Sequence, residues 1–120
     1  MKTETAAKYL KAIYRLKNKF DVVKSAMVAE EMLVTRPTVC VALRHLMKDG
    51  LIEFDDTHEI QLTESGEQMA RKITERYEFF LAFFTKLGLP EPIAEKDACV
   101  LEYTLSDESY AVLRAGTELQ

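Results

Sequence analysis

The stretch from Thr35 to Gly50 carries its own start and stop signals, and the neighbouring segments must fit around it. Thr35 offers a side-chain oxygen that can cap a helix, and Pro37 falls in the first turn, where a missing N–H costs nothing. Gly50 supplies the stop. Between them Val39, Leu43 and Leu46 recur at steps of four and three, the spacing of one buried helical stripe. A short helix is expected just before, from Ala26 to Met32, with Ser25 as its cap, Val28 and Ala29 facing inward, and Leu33-Val34 as the turn. Further upstream Ala6, Tyr9, Leu10, Ile13, Leu16 and Phe20 predict an amphipathic helix from Thr3 to about Phe20. Downstream, two alternating stretches, Leu51 to Phe54 and Glu59 to Leu62, flank the turn-rich Asp55-Asp56-Thr57-His58 and read as a β-hairpin. Helix, helix, tight turn, helix, hairpin is the order of a winged helix-turn-helix, expected to occupy residues 1–62.

The rest of the chain, residues 63–120, reads as helical, so the fold class is mainly α. Thr63 caps a long helix to about Leu87, which Gly88 ends. Leu89-Pro90-Glu91-Pro92 is a rigid link. A further helix is expected from about Ile93 to Thr104, and Ser106 opens another, with Asp107 and Glu108 in its first turn. The long helix carries Tyr77, Phe79, Phe80, Phe83 and Phe84, and these rings cover too broad a face for one core stripe. They either pack on the helices that follow or form part of a dimer contact, so Phe79, Phe80, Phe83 and Phe84 are candidate dimerisation residues.

The 120 residues are one domain's worth by length, with 48% hydrophobic and 30% charged residues, a globular balance. The longest apolar run, Phe79 to Phe84, is far short of the roughly 18 residues that suggest a membrane span. The polar N-terminus carries no apolar signal core, and the isolated thiols Cys40 and Cys99 fit a reducing cytoplasm. Cys40 reads as a small packing residue. No Ser-His-Asp, metal-hydrolase or phosphate-loop constellation is present, so an enzyme is not expected. The net charge of −4 argues against a nucleic-acid partner, but its distribution argues for one. Met1 to Lys19 holds six bases and one acid, and Arg36 to Lys48 holds three bases and no acid. Local field, not net charge, decides such contacts.

With Val39, Leu43 and Leu46 inward, the outward face of the third helix carries Thr38, Val41, Arg44, His45 and Lys48, with Arg36 and Pro37 at its leading end. The N-terminal part of such a helix enters the major groove of DNA. Arg36 can read guanine through two forked donors or grip a phosphate, and Val41 can meet a thymine methyl. Ser25, Thr35 and Lys48 suit phosphates, which fix register rather than sequence. The hairpin is less suited to DNA, because Asp55, Asp56 and Glu59 are acidic and only His58 could help.

Four segments together resemble the DtxR/MntR family of metal-dependent transcriptional repressors, in its short, MntR-like type. Tyr9 to Leu16 resembles the family's "YL..IY.L" opening. TRPTVCVALRHLMKDGLIE, Thr35 to Glu53, resembles its recognition helix, and QLTESGEQMA, Gln61 to Ala70, the start of its linking helix. KDACVLEYTLSDE, Lys96 to Glu108, resembles its "DEAC..EH.LSDE" segment. The resemblance implies a homodimer on double-stranded DNA, paired through the helical second half, and an activating Mn or Fe(II) ion. It also implies a degenerate metal site. Lys8 and Lys11 stand at two ligand positions of the first helix, Tyr77 at a histidine of the linking helix, and Tyr103 at the last histidine. A charged lysine only donates, and tyrosine holds its proton to about pH 10. Cys99 and Glu102 remain, and Glu95, one turn before Cys99, is the third candidate ligand. The expectation is therefore a DNA-binding regulator with lost or altered metal dependence. Two alternatives are a repressor still responsive to Mn or Fe(II) through a remodelled site, and a winged-helix module for protein contacts.

Overall fold

The computed structural model describes residues 1–118. Helix α1 spans Thr3–Lys19, α2 Ser25–Met32 and α3 Arg36–Lys48; strands β1 (Ile52–Phe54) and β2 (Ile60–Leu62) follow; then come α4 (Glu64–Lys86), α5 (Glu91–Thr104) and α6 (Asp107–Glu118). The chain divides into two compact units, residues 1–75 and 76–120, so the division falls inside α4 rather than at its start. The reason lies in the first turns of α4, whose Gly66, Ala70 and Ile73 are buried within the first unit.

In the first unit, α1 places Leu10, Ile13 and Leu16 inward, α2 adds Val28, and α3 adds Val39, Leu43 and Leu46. All of these are 6% exposed or less, so the stripes read from the sequence are the stripes that bury. Each such aliphatic side chain contributes about 1.5–3 kcal/mol of transfer free energy. The hairpin is antiparallel, with Ile52 opposite Leu62 and Phe54 opposite Ile60, and the inward Ile52 and Ile60 close the core. Ile60 also donates its N–H to the Val23 carbonyl at 2.8 Å, which ties the hairpin to the α1–α2 connection. Lys17 adds a side-chain tie from α1 to the hairpin, reaching Gln61 Oε1 at 3.1 Å and Glu59 Oε1 at 3.4 Å.

Local chemistry explains most boundaries. Thr35 Oγ1 accepts from the Thr38 N–H at 3.4 Å, Thr63 Oγ1 from Gly66 at 3.0 Å, and Ser106 Oγ from Ser109 at 3.1 Å. These are three of the four expected caps. Ser25 departs from expectation: α2 begins at Ser25 itself, and its cap position is Lys24, which makes no side-chain cap bond. α5 begins at Glu91, ahead of the expected Ile93, because Pro92 fits within a first turn and does not block it. The turn between α2 and α3 runs through Leu33 at φ 57°, a left-handed conformation that costs a leucine strain.

In the second unit the guanidinium of Arg76, 5% exposed, draws the elements together. Its Nη1 donates to the Leu105 carbonyl at 2.8 Å, Nη2 pairs with Asp107, and the group lies 4.6 Å over the Tyr110 ring. Tyr110 in turn meets Phe79 edge-on at 5.5 Å. Thus α4, the α5–α6 turn and α6 share one buried cation and one aromatic cluster.

Candidate nucleic-acid interface

The two faces of α3 are chemically opposite. Val39, Ala42, Leu43 and Leu46 are buried. Arg36, Pro37, Thr38, Val41, Arg44, His45 and Lys48 are all exposed, so every α3 residue expected on the outer face stands there. Thr35, the cap, is exposed as well, and its hydroxyl lies 2.8 Å from that of Thr38. Val41 is 51% exposed on this otherwise polar face. It shares a shallow hollow of about 250 Å³ with Arg44, His45 and Lys48. A second hollow, of about 450 Å³, joins Thr38, Val41 and His45 to Lys2 and Thr5 at the start of α1, with Tyr9 at its floor. Burial pushes the Tyr9 phenol above its ordinary pKa, so it stays neutral there. The sequence reading missed the contribution of Lys2 and Thr5, because only the packing of α1 on α3 brings them beside the outer face.

Two residues stand elsewhere than expected. Ser25 is half-buried in the first turn of α2, where its hydroxyl caps nothing. Cys40 is exposed, not packed: it sits one turn from Arg36 and one from Arg44, whose Nε donates to the Cys40 carbonyl at 3.4 Å.

The hairpin tip is organised by one carboxylate. Asp55 accepts from the Thr57 hydroxyl at 2.7 Å and from the N–H groups of Thr57 and Glu59 at 2.9 Å each. The Thr57 hydroxyl bond and then the Glu59 amide hold its carboxyl down to about 2. His58 takes a left-handed φ of 61° within this turn and is exposed. Glu59 is partly spent on Lys17, so Glu53, Asp55 and Asp56 remain as exposed acids of the wing.

The candidate metal ligands lie along α5. Glu95 is exposed, Cys99 half-buried and Glu102 2% exposed. Seven residues separate Glu95 from Glu102, about 10 Å along a helix axis. Among the described residues no group of three or more His, Cys, Asp or Glu side chains is placed to hold one ion. Lys8, at one expected ligand position, pairs with Glu4 at 3.3 Å on the exposed side of α1, and Lys11 is buried. Of the candidate dimer aromatics, Phe80 is 3% exposed and belongs to the core of its own chain. Phe79, Phe83 and Phe84 are half-buried, and Phe79 and Phe83 line a hollow of about 400 Å³ with Ala82, Lys86 and Leu87.

Residues 1–58 match the family model of the iron dependent repressor N-terminal DNA binding domain, and residues 63–116 match that of its metal binding and dimerisation domain. The chain belongs to the iron-dependent repressor family of DNA-binding transcriptional regulators. It is 30% identical over 110 residues to the transcriptional regulator MntR of Escherichia coli O6:H1, covering 92% of this chain and 71% of that protein. Among solved structures it superposes on the metal-dependent transcriptional regulator MtsR with a TM-score of 0.82 at 26% identity, covering 96% of this chain and 54% of that one. It superposes on a manganese-dependent transcriptional repressor in complex with manganese with a TM-score of 0.80 at 28% identity, covering 96% and 53%. The chain therefore spans about half the length of those two solved relatives. The DNA-binding match covers α1 to β1, and the metal-binding and dimerisation match covers α4, α5 and most of α6. The metal-binding part of the second match does not fit the donors of this chain. Glu95, Cys99 and Glu102 are spread over two turns and from solvent to core, and they are too few for an ion that takes four to six ligands.

Proposed function

We propose that this chain is a cytoplasmic homodimeric regulator that reads double-stranded DNA with α3 in the major groove. The observation that carries the reading is the outer face of α3, which presents Arg36, Arg44 and Lys48 and no acid, above a fully buried apolar stripe. Arg36 leads the helix into the groove, as a guanine reader or a phosphate grip. Val41 meets a thymine methyl, and Thr38 and His45 flank it. Thr35 and Lys48 face phosphates and set the register. The half-buried rings Phe79, Phe83 and Phe84 contribute to the contact between copies, which gives the bound site two-fold symmetry.

Selection of bound duplexes from random sequence tests this directly. Two half-sites related by a two-fold axis are expected. On the selected site Arg36→Ala should cost about 1–3 kcal/mol and relax preference at one position. Lys48→Ala should weaken all sequences alike and lower the salt slope by about 1. If both variants bind the selected site as the wild type does, α3 is not the reading helix.

A further inference from the structure

The second half of the chain matches a model named for both metal binding and dimerisation, and its donors serve only one of these tasks. Both histidines of the chain, His45 and His58, lie before residue 63, so the matched segment contains none. Its one thiol, Cys99, is half-buried, and its most buried carboxylate, Glu102, is 2% exposed. Neither side chain is free, since each already has an interaction within the protein. Glu95 stays in solvent two turns away from Glu102. Soft thiolate and hard carboxylate also suit different ions, so this pair favours no single divalent metal. The cation that draws the second unit together is instead the guanidinium of Arg76, bound to Leu105 and Asp107 and permanently charged.

We infer that this chain binds DNA without a divalent activator, its second half having kept the helical packing and pairing role and lost the metal chemistry. The inference rests on the DNA-binding reading above. DNA occupancy then follows the concentration of the protein, and the ion concentration of the cell does not enter.

Two measurements on the full chain test it, one of them independent of DNA. Chelator-stripped protein is dialysed to equilibrium against Mn(II), anaerobic Fe(II), Co(II) or Zn(II), and the retained metal is counted. Co(II) and Zn(II) make the test strict, because N, O and S sites generally hold them more tightly than Mn(II) or Fe(II). Retained metal at the level of an unrelated control protein is expected for all four; about one ion per chain overturns the inference. In parallel, affinity for the selected duplex is measured in chelator and in excess Mn(II) or Fe(II). A change within about twofold is expected, whereas a gain of tenfold or more, about 1.4 kcal/mol of coupling, overturns the inference. Failure to select any duplex sinks the DNA-binding reading, and the dialysis result still judges the metal.

Discussion

Gly66 is the position where one added methyl group does most damage. A Cβ built there stands 1.8 Å from the Leu51 carbonyl oxygen and 2.8 Å from its carbon, both backbone atoms. The carbonyl cannot simply swing away. It accepts the Thr63 N–H at 3.1 Å, and the Leu51 N–H is itself bound to the Leu46 carbonyl at 3.0 Å. Thr63 also donates its hydroxyl to the Gly50 carbonyl at 2.6 Å while capping Gly66. Room for the methyl is made only by lifting the first turn of α4 off the α3–β1 connection. Overpacking of this kind costs about 1–3 kcal/mol, and the loss of one backbone hydrogen bond adds about 1 kcal/mol. Alanine returns about 1 kcal/mol through helix propensity. The net expectation for Gly66→Ala is a loss of about 2 kcal/mol, or roughly 8 °C in Tm for a chain of this size. Gly116 is the control: it also lies in a helix, but a Cβ there meets nothing within 4 Å. Gly116→Ala should hold or raise stability by about 0.5 kcal/mol. Thermal and urea unfolding followed by circular dichroism read both variants. If Gly66→Ala melts at or above the wild type, the close approach of α4 to Leu51 is wrong.

Asp55 has a carboxyl held at about 2 by the Thr57 hydroxyl and the Glu59 amide, so the order it lends the hairpin tip is fully present above its unfolded value near 4 and is lost as pH falls through 2. A carboxyl-detected NMR titration should place its midpoint near 2, and Thr57→Ala should raise it; an unshifted wild-type midpoint would contradict the hydrogen bonds. Arg76→Met removes a charge-assisted bond to the Leu105 carbonyl and the pair with Asp107, and should cost about 2–3 kcal/mol. Arg76→Lys should recover little of this in urea unfolding, because an ammonium lacks the planar fork that reaches both partners; full recovery would show that charge alone suffices.

The parts of the fold legible in the sequence are those written in neighbouring residues. Thr35, Pro37 and Gly50 bracket α3, and the spacing of Val39, Leu43 and Leu46 fixes which face turns outward, so the candidate interface could be named before its surroundings. Ser25 was misread because the rule for caps rewards a serine next to a helix and is blind to a helix that starts one residue earlier. Phe80 was misplaced for a different reason. Periodicity distributes four phenylalanines over one broad face of α4, but only the position of Tyr110, thirty residues on, decides which ring is enclosed. Cys40 reads as packing by composition and is exposed because Val39 and Ala42 already fill the buried side. The expected domains divide at residue 62 and the compact units at residue 75, because α4 is one unbroken helix whose first turns pack with the winged helix.

The charges of the first unit favour α3 over the wing as the proposed reading element. The wing carries Glu53, Asp55 and Asp56 exposed, and Lys17, which reaches the hairpin, is committed to Glu59 and Gln61. Hydrogen bonds to Asp55 stabilise its anion and do not cancel it, so Asp55 keeps its negative charge at the tip well below neutral pH. A phosphate backbone brought to that tip meets repulsion. The opposite holds on α3, where Arg36, Arg44 and Lys48 face outward without an acid among them, and Lys2 shares a hollow with Thr38, Val41 and His45 of the same helix. Net charge sums these two surfaces to a value that describes neither. On the proposed reading the helix is pulled toward DNA while the hairpin is held off it, and this asymmetry would bear on the angle of approach as well as on affinity.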